Sequence, residues 1–192
     1  VRLVDLDGDP ADVLAAHRSL AGEGDPSTDH ERDVRWLLER LAAGEPLRIN
    51  CGGKDGPALG ETWSRDRFHL GGQSYYLAKL DPDRHEVDPV LDRTERVFGE
   101  PTVRIRGDRI PLPKGEYWVR LTFSEGYHEL PDERRFDVLV EGRAFLEGYS
   151  PRFGVQESYP RDLFVEDGAL DIDFRRVKGN PKISAIEVER LR

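Results

Sequence analysis

Two short clusters hold the side chains best suited to chemistry in this sequence. Tyr75-Tyr76 follows a Gly71-Gly72 pair, and Tyr127-His128-Glu129 leaves an alternating apolar run to enter a polar, proline-bearing loop ending near Arg134. An aromatic ring offers a flat apolar face to the C–H side of a pyranose, and fixed donors and acceptors hold its hydroxyls. Loops at one end of a β-domain are the natural place for both. Tyr75, Tyr76, Tyr127, His128 and Glu129 are therefore the candidate carbohydrate-binding residues. No catalytic residue, metal ligand or cofactor is assigned.

Other chemistries find less support. A glycosidase needs two carboxylates facing each other across a cleft. Glu125, Glu129, Asp132 and Glu133 are available, but with 38 acidic residues in 192 such neighbours arise by chance and nothing singles out a pair. A serine-hydrolase elbow, a P-loop, a Rossmann glycine run and an H-E-x-x-H helix are all absent. His17, His30, His69, His85 and His128 show no ligand spacing. Asp5-Leu6-Asp7-Gly8-Asp9 begins like a calcium loop, yet Pro10 occupies the place of the turn glycine and Ala16 that of the bidentate acid. A polar turn and helix cap is the reading there.

The elements that must position these residues change character along the chain. Asp9 before Pro10 reads as an N-cap, followed by a stripe of Val13, Leu14, His17 and Leu20 that ends at Gly22 or Gly24. Thr28 and Glu31 form a capping box for a second helix with Val34, Leu37, Leu38 and Leu41 on one face and Gly44 as its stop. From Leu47 the pattern alternates. Tyr117, Val119, Leu121 and Phe123 share one strand face, as do Phe136, Val138 and Val140, then Leu170, Ile172 and Phe174. A last strand runs through Ile183, Ile186 and Val188, and Lys114-Gly115, Glu141-Gly142 and Asp167-Gly168 supply turns. The expectation is a mainly β protein: a jelly-roll-type antiparallel β-sandwich over residues 47–192, with residues 1–46 a helical extension or linker of two short helices.

Composition narrows the partners. The net charge is −9, with 29 basic residues and no Lys/Arg block to track a phosphate backbone, so no nucleic acid is expected. No apolar run reaches the length of a membrane span and the first residues are acidic, so a soluble chain without a membrane partner is expected. Cys51 is the only cysteine and reads as a small buried hydrophobe, leaving the redox compartment open. The chain lacks methionine, as an excerpt or a processed form would.

Four segments, RINCGG at 48–53, LTFSEGY at 121–127, FDVLVEG at 136–142 and NPKISAIEV at 180–188, are each strand chemistry ending in a turn or polar loop. Together with Trp63-Ser64-Arg65-Asp66, their order resembles the malectin domain family over residues 47–191, about three quarters of the chain. The resemblance implies a carbohydrate-binding β-sandwich. The family protein that binds a glucose disaccharide uses tyrosines from two earlier loops, a Tyr-Phe pair and an aspartate before the N-P-K run. Tyr76 and Tyr127 match two of these positions, whereas Val97, His128 and Gly179 stand at the others.

The resemblance thus supports the fold and departs from glucose-disaccharide specificity. Glu129 is a candidate replacement for the missing acid, and Asn50, Gly52, Gly53 and Glu125 are assigned mainly structural roles. The expected function is a non-catalytic module that recognises an oligosaccharide or glycan. Two alternatives stand beside it: a protein-interaction scaffold that has lost the sugar site and docks through its N-terminal helices, and an appended domain of a larger carbohydrate-active enzyme. The resemblance suggests an extracellular or secretory compartment.

Overall fold

In the computed structural model, residues 9, 12, 13, 29–77, 91 and 93–191 are described. Helix α1 (Asp29–Ala42) starts with Asp29 and Glu31 in its first turn and carries Arg40 in its last, charges that complement the helix dipole. Leu37, Leu38 and Leu41 are buried on one face. At its end the Glu45 N–H donates to the Arg40 carbonyl at 2.9 Å and the Gly44 N–H to that of Leu41 at 3.1 Å. This double bond pattern needs a left-handed residue, and Gly44 has φ +67°. Since no atom lies within 4 Å of a Cβ added at Gly44, Gly44→Ala meets only conformational strain. It is expected to lower stability by about 1 kcal/mol, read from the urea midpoint.

The expectation of two N-terminal helices is corrected to one among the described residues. Asp12 and Val13 have helical backbone and the Val13 N–H donates to the Asp9 carbonyl at 3.0 Å, but most of that first stretch lies outside the described residues. A short helix needs tertiary packing of its apolar face. Helix α1 has it, because its three leucines join the same core as the strands. Asp33 fastens it further, accepting hydrogen bonds from Arg65 (2.6 Å) and Arg67, while the Arg67 guanidinium lies 4.5 Å over the Trp36 ring.

The strands, in chain order, are β1 (Leu47–Asn50), β2 (Gly56–Ala58), β3 (Glu61–Trp63), β4 (Gln73–Tyr76), β5 (Thr94–Val97), β6 (Arg104–Pro111), β7 (Gly115–Ser124), β8 (Arg135–Val140), β9 (Arg143–Tyr149), β10 (Gln156–Val165), β11 (Ala169–Lys178), β12 (Lys182–Ile183) and β13 (Ala185–Arg190). Two antiparallel four-stranded sheets, β1-β13-β7-β10 and β6-β11-β8-β9, form the sandwich. Their inner faces carry the alternating residues of the sequence: Tyr117, Val119, Leu121 and Phe123 from one sheet, Phe136, Val138, Leu170, Ile172 and Phe174 from the other, all fully buried. Phe123 and Phe136 meet between the sheets with ring centroids 6.0 Å apart, and Phe136 meets Phe174 at 5.9 Å. Burying side chains of this size supplies the main stabilisation, about 1.5–3 kcal/mol each.

A smaller sheet, β12-β5-β4, stands beside the sandwich. It continues from the core chain, since β12 immediately precedes β13. This sheet and the loop after β7 carry the residues of interest.

Candidate carbohydrate site

The loop after β7 is held from inside the protein. Glu125 is 1% exposed, and its Oε1 accepts the main-chain N–H groups of Tyr127 (2.9 Å) and His128 (3.1 Å). Its Oε2 accepts from Arg134 Nε at 2.6 Å, and Lys182 Nζ lies 3.7 Å from Oε1. Lys182 also pairs with Glu95, and Arg134 donates to the Asn180 carbonyl. Burial opposes a charge on Glu125, but Lys182 and Arg134 overcome it and hold the carboxyl below its ordinary value. The result is an alternating chain of buried charges, Glu95, Lys182, Glu125 and Arg134, under an exposed turn.

That turn presents Tyr127, 72% exposed, with His128 packed edge-on against it at 4.9 Å between ring centroids. Glu133 Oε2 lies 3.6 Å from His128 Nδ1. Opposite stands β4, paired with β5 so that Tyr75 faces Glu95 and Tyr76 faces Thr94. Neighbouring side chains of a strand point to opposite faces. The two tyrosines therefore separate.

Tyr75, with Leu77, Glu95 and Val97, joins Tyr127, His128, Arg134, Gly179 and Asn180 around a hollow of about 480 Å³. Such a volume lies within the usual range for small-ligand sites. Tyr76, 63% exposed, lines a different hollow of about 810 Å³ with Asn50, Lys54, Asp55, Arg93 and Thr94. Glu129 is exposed and lines neither. Of the five candidate residues, the structure brings together Tyr75, Tyr127 and His128 and sets Tyr76 and Glu129 apart.

Segments that are most recognisable in the sequence form the support beneath. Asn50 Oδ1 accepts from Thr94 Oγ1 at 2.5 Å, and its Nδ2 donates to the Lys54 carbonyl at 3.3 Å. A Cβ at Gly52 would stand 2.2 Å from the Glu95 carbonyl oxygen, so only glycine permits β5 to approach there. Asp66, from the Trp63-Ser64-Arg65-Asp66 stretch, accepts the Gly52 N–H at 2.7 Å and Arg96 Nε at 2.6 Å. Arg96 in turn donates to the carbonyls of Gly71 (3.0 Å) and Gly72 (3.1 Å) and to Ser74 Oγ (3.0 Å), which pins the start of β4.

Residues 46–186 match the Malectin domain family. The chain belongs to that family. No curated protein matches it. Among solved structures, this malectin domain is similar to the β-glucuronidase of Bacteroides uniformis (18% identity, TM-score 0.66, covering 78% of this chain and 18% of that one). It is also similar to the plant receptor-like kinase FER (21%, 0.63, 77% and 42%) and to the ANX2 ectodomain of Arabidopsis thaliana (16%, 0.61, 75% and 49%). The chain spans less than half the length of each, and at these identities the likeness is one of fold.

Within the malectin fold, Val97 and Gly179 do line the hollow. Gly179 has φ +63°, and a Cβ there would lie 3.0 Å from the Glu133 carbonyl oxygen. A carboxylate on that residue is therefore strained in this chain, which explains the glycine. Sequence reasoning missed Glu95 and Asn180 as lining residues. No sequence signal marked them: Glu95, Arg96 and Lys182 are charged residues that the structure buries.

Proposed function

We propose that this malectin domain is a non-catalytic carbohydrate-binding module. The observation that carries the reading is the hollow in which Tyr75, Tyr127 and His128 surround a floor of Glu95 and Arg134. Exposed rings stack on the apolar side of a sugar, while the imidazole and the charged floor hydrogen-bond its hydroxyls. The hollow does not suit hydrolysis. A general acid needs a raised pKa, yet Glu125 is held ionised by Arg134 and Lys182, and Glu95 is tied to Lys182. Recognition through so few groups gives affinities of about micromolar to millimolar per site.

A glycan-array screen of the folded chain, paired with Tyr127→Ala, tests this. Tyr127 has most of its ring in solvent and its side chain holds no core contact, so the substitution leaves the fold intact. Loss of one stacking platform should weaken binding by about tenfold. Undiminished binding by the variant would overturn the placement of the site at this hollow, and silence of the wild type across a broad array would favour the scaffold reading. Leu130, 67% exposed beside the same turn, is the residue that would then mark a protein contact.

A further inference from the structure

The outer face of the sheet β6-β11-β8-β9 carries charge opposite in sign to the molecule as a whole. Register places Arg104 of β6 across from Arg175 of β11, and Arg135 of β8 across from Lys178 of β11. All four are exposed. Like charges directly opposite each other weaken a sheet. In the row beyond Arg104 and Arg175, Arg106 faces Asp173, which in turn faces Leu139. Five cations thus share three rows with two carboxylates, Asp137 and Asp173, in a chain of net charge −9. No run of sequence displays this, because the five come from three strands.

Little within the protein answers these charges. Arg104, Arg135 and Lys178 carry no hydrogen bond or ion pair among the described residues. Arg175 binds the buried Asp137 and still leaves 57% of its side chain in solvent. Arg106 reaches Asp171 only at 3.9 Å. Exposed Val103 and Val177 stand beside the arginines, and the Arg176 N–H donates to the Val103 carbonyl at 2.8 Å, which brings both valines to one end of β6 and β11.

The chemistry of the face selects its occupant. Phe136 and Phe174, the aromatic side chains of β6, β8 and β11, are fully buried on the inner side, so no ring is offered to a sugar. Valines beside arginines suit a peptide with apolar and acidic side chains. An extended peptide repeats its side chains on one face about every 6.7 Å, the spacing of Arg104 and Arg106 along their strand. Guanidinium forks grip carboxylates in a bidentate manner. We infer that this face docks an extended acidic segment of a partner protein, its carboxylates held by Arg104, Arg106, Arg135, Arg175 and Lys178. The docking face is complete without a sugar in the neighbouring hollow, which it adjoins where Arg134 meets Arg135 and Gly179 meets Lys178.

The test is a ¹⁵N–¹H titration of the whole chain with a synthetic octapeptide of alternating glutamate and valine, and with its glutamine-valine counterpart. Saturable shifts are expected at the amides of Arg104, Arg106, Arg175 and Lys178 with the acidic peptide only. Affinity should fall at least about tenfold between about 0.05 and 0.5 M NaCl. The double variant Arg104→Gln, Lys178→Gln removes two exposed charges without ion-pair partners, so it should weaken the peptide at least about fivefold while the urea midpoint holds or rises. Tyr127→Ala should leave peptide binding as it is. Equal affinity for the uncharged peptide, no binding of either, unchanged affinity in the double variant, or a lowered urea midpoint there would overturn the inference. So would shifts centred on Tyr127, or heparin or a polyuronate binding this face more tightly than the peptide.

Discussion

Glu125→Ala is expected to lower stability by about 3–5 kcal/mol and to abolish glycan binding, because one carboxylate serves both the core and the site. Removing it leaves Arg134, 5% exposed, and Lys182, fully buried, short of a counter-charge. It also frees the two N–H groups that set the Tyr127-His128 turn. Glu125→Gln separates the two effects. An amide oxygen can still accept from the turn, so the aromatic pair stays in place, while the buried cations lose their charge partner. Urea unfolding at pH 7 should therefore rank wild type above Gln above Ala, with residual glycan binding in Gln only. The acid limb adds a check. Because the folded-state pKa of Glu125 is depressed, its contribution is complete above its unfolded value of 4.5 and is lost as pH falls through the folded one. The Gln variant should show a shallower loss of stability below about pH 4.5. Equal stability of all three proteins would mean that the ionic chain does not hold the site.

The sandwich was legible in the sequence because its signal is local. Leu170, Ile172 and Phe174 alternate with Asp171 and Asp173, and that period alone places them on one inner face. Gly44 and the leucine stripe before it identified α1 in the same way. The site was legible only in part. Tyr75 and Tyr76 stand out as aromatic residues after a glycine pair, but which of them faces Tyr127 depends on how β4 pairs with β5, a contact between distant segments. No periodicity in four residues decides it. Glu95, Arg96 and Lys182 were harder still, since charged residues read as solvated until a structure shows them paired in the interior. The first expected helix falls mostly outside the described residues, among which Val13 joins the core.

A second buried carboxylate with a shifted pKa, Asp108 on β6, gives the opposite pH dependence to Glu125. It is 1% exposed, and neither of its oxygens has a hydrogen-bond partner. Burial, with the like charge of Asp66 adding to it and Arg96 opposing, raises its pKa from 3.8 to about 8. Arg96 cannot neutralise Asp108 because its guanidinium is already committed to Asp66 and to the carbonyls before β4. The folded state therefore holds a proton on Asp108 that the unfolded chain has released. Its contribution is fully present below about pH 4 and is lost as pH rises through about 8, after which it stays constant. His69, whose imidazole burial holds below its ordinary value, works the other way below about pH 6.5, so the wild-type profile alone blends the two. The difference between wild type and Asp108→Asn isolates the carboxyl. At about pH 4 the folded forms carry a neutral side chain of the same shape and the unfolded Asp108 has only begun to ionise, so their urea midpoints should nearly coincide. At pH 8 to 9 the Asn variant should be more stable by about 2–4 kcal/mol, the linkage expected over about three pH units of protonation. A difference that does not change between pH 4 and 9 would show that Asp108 ionises freely in the folded protein.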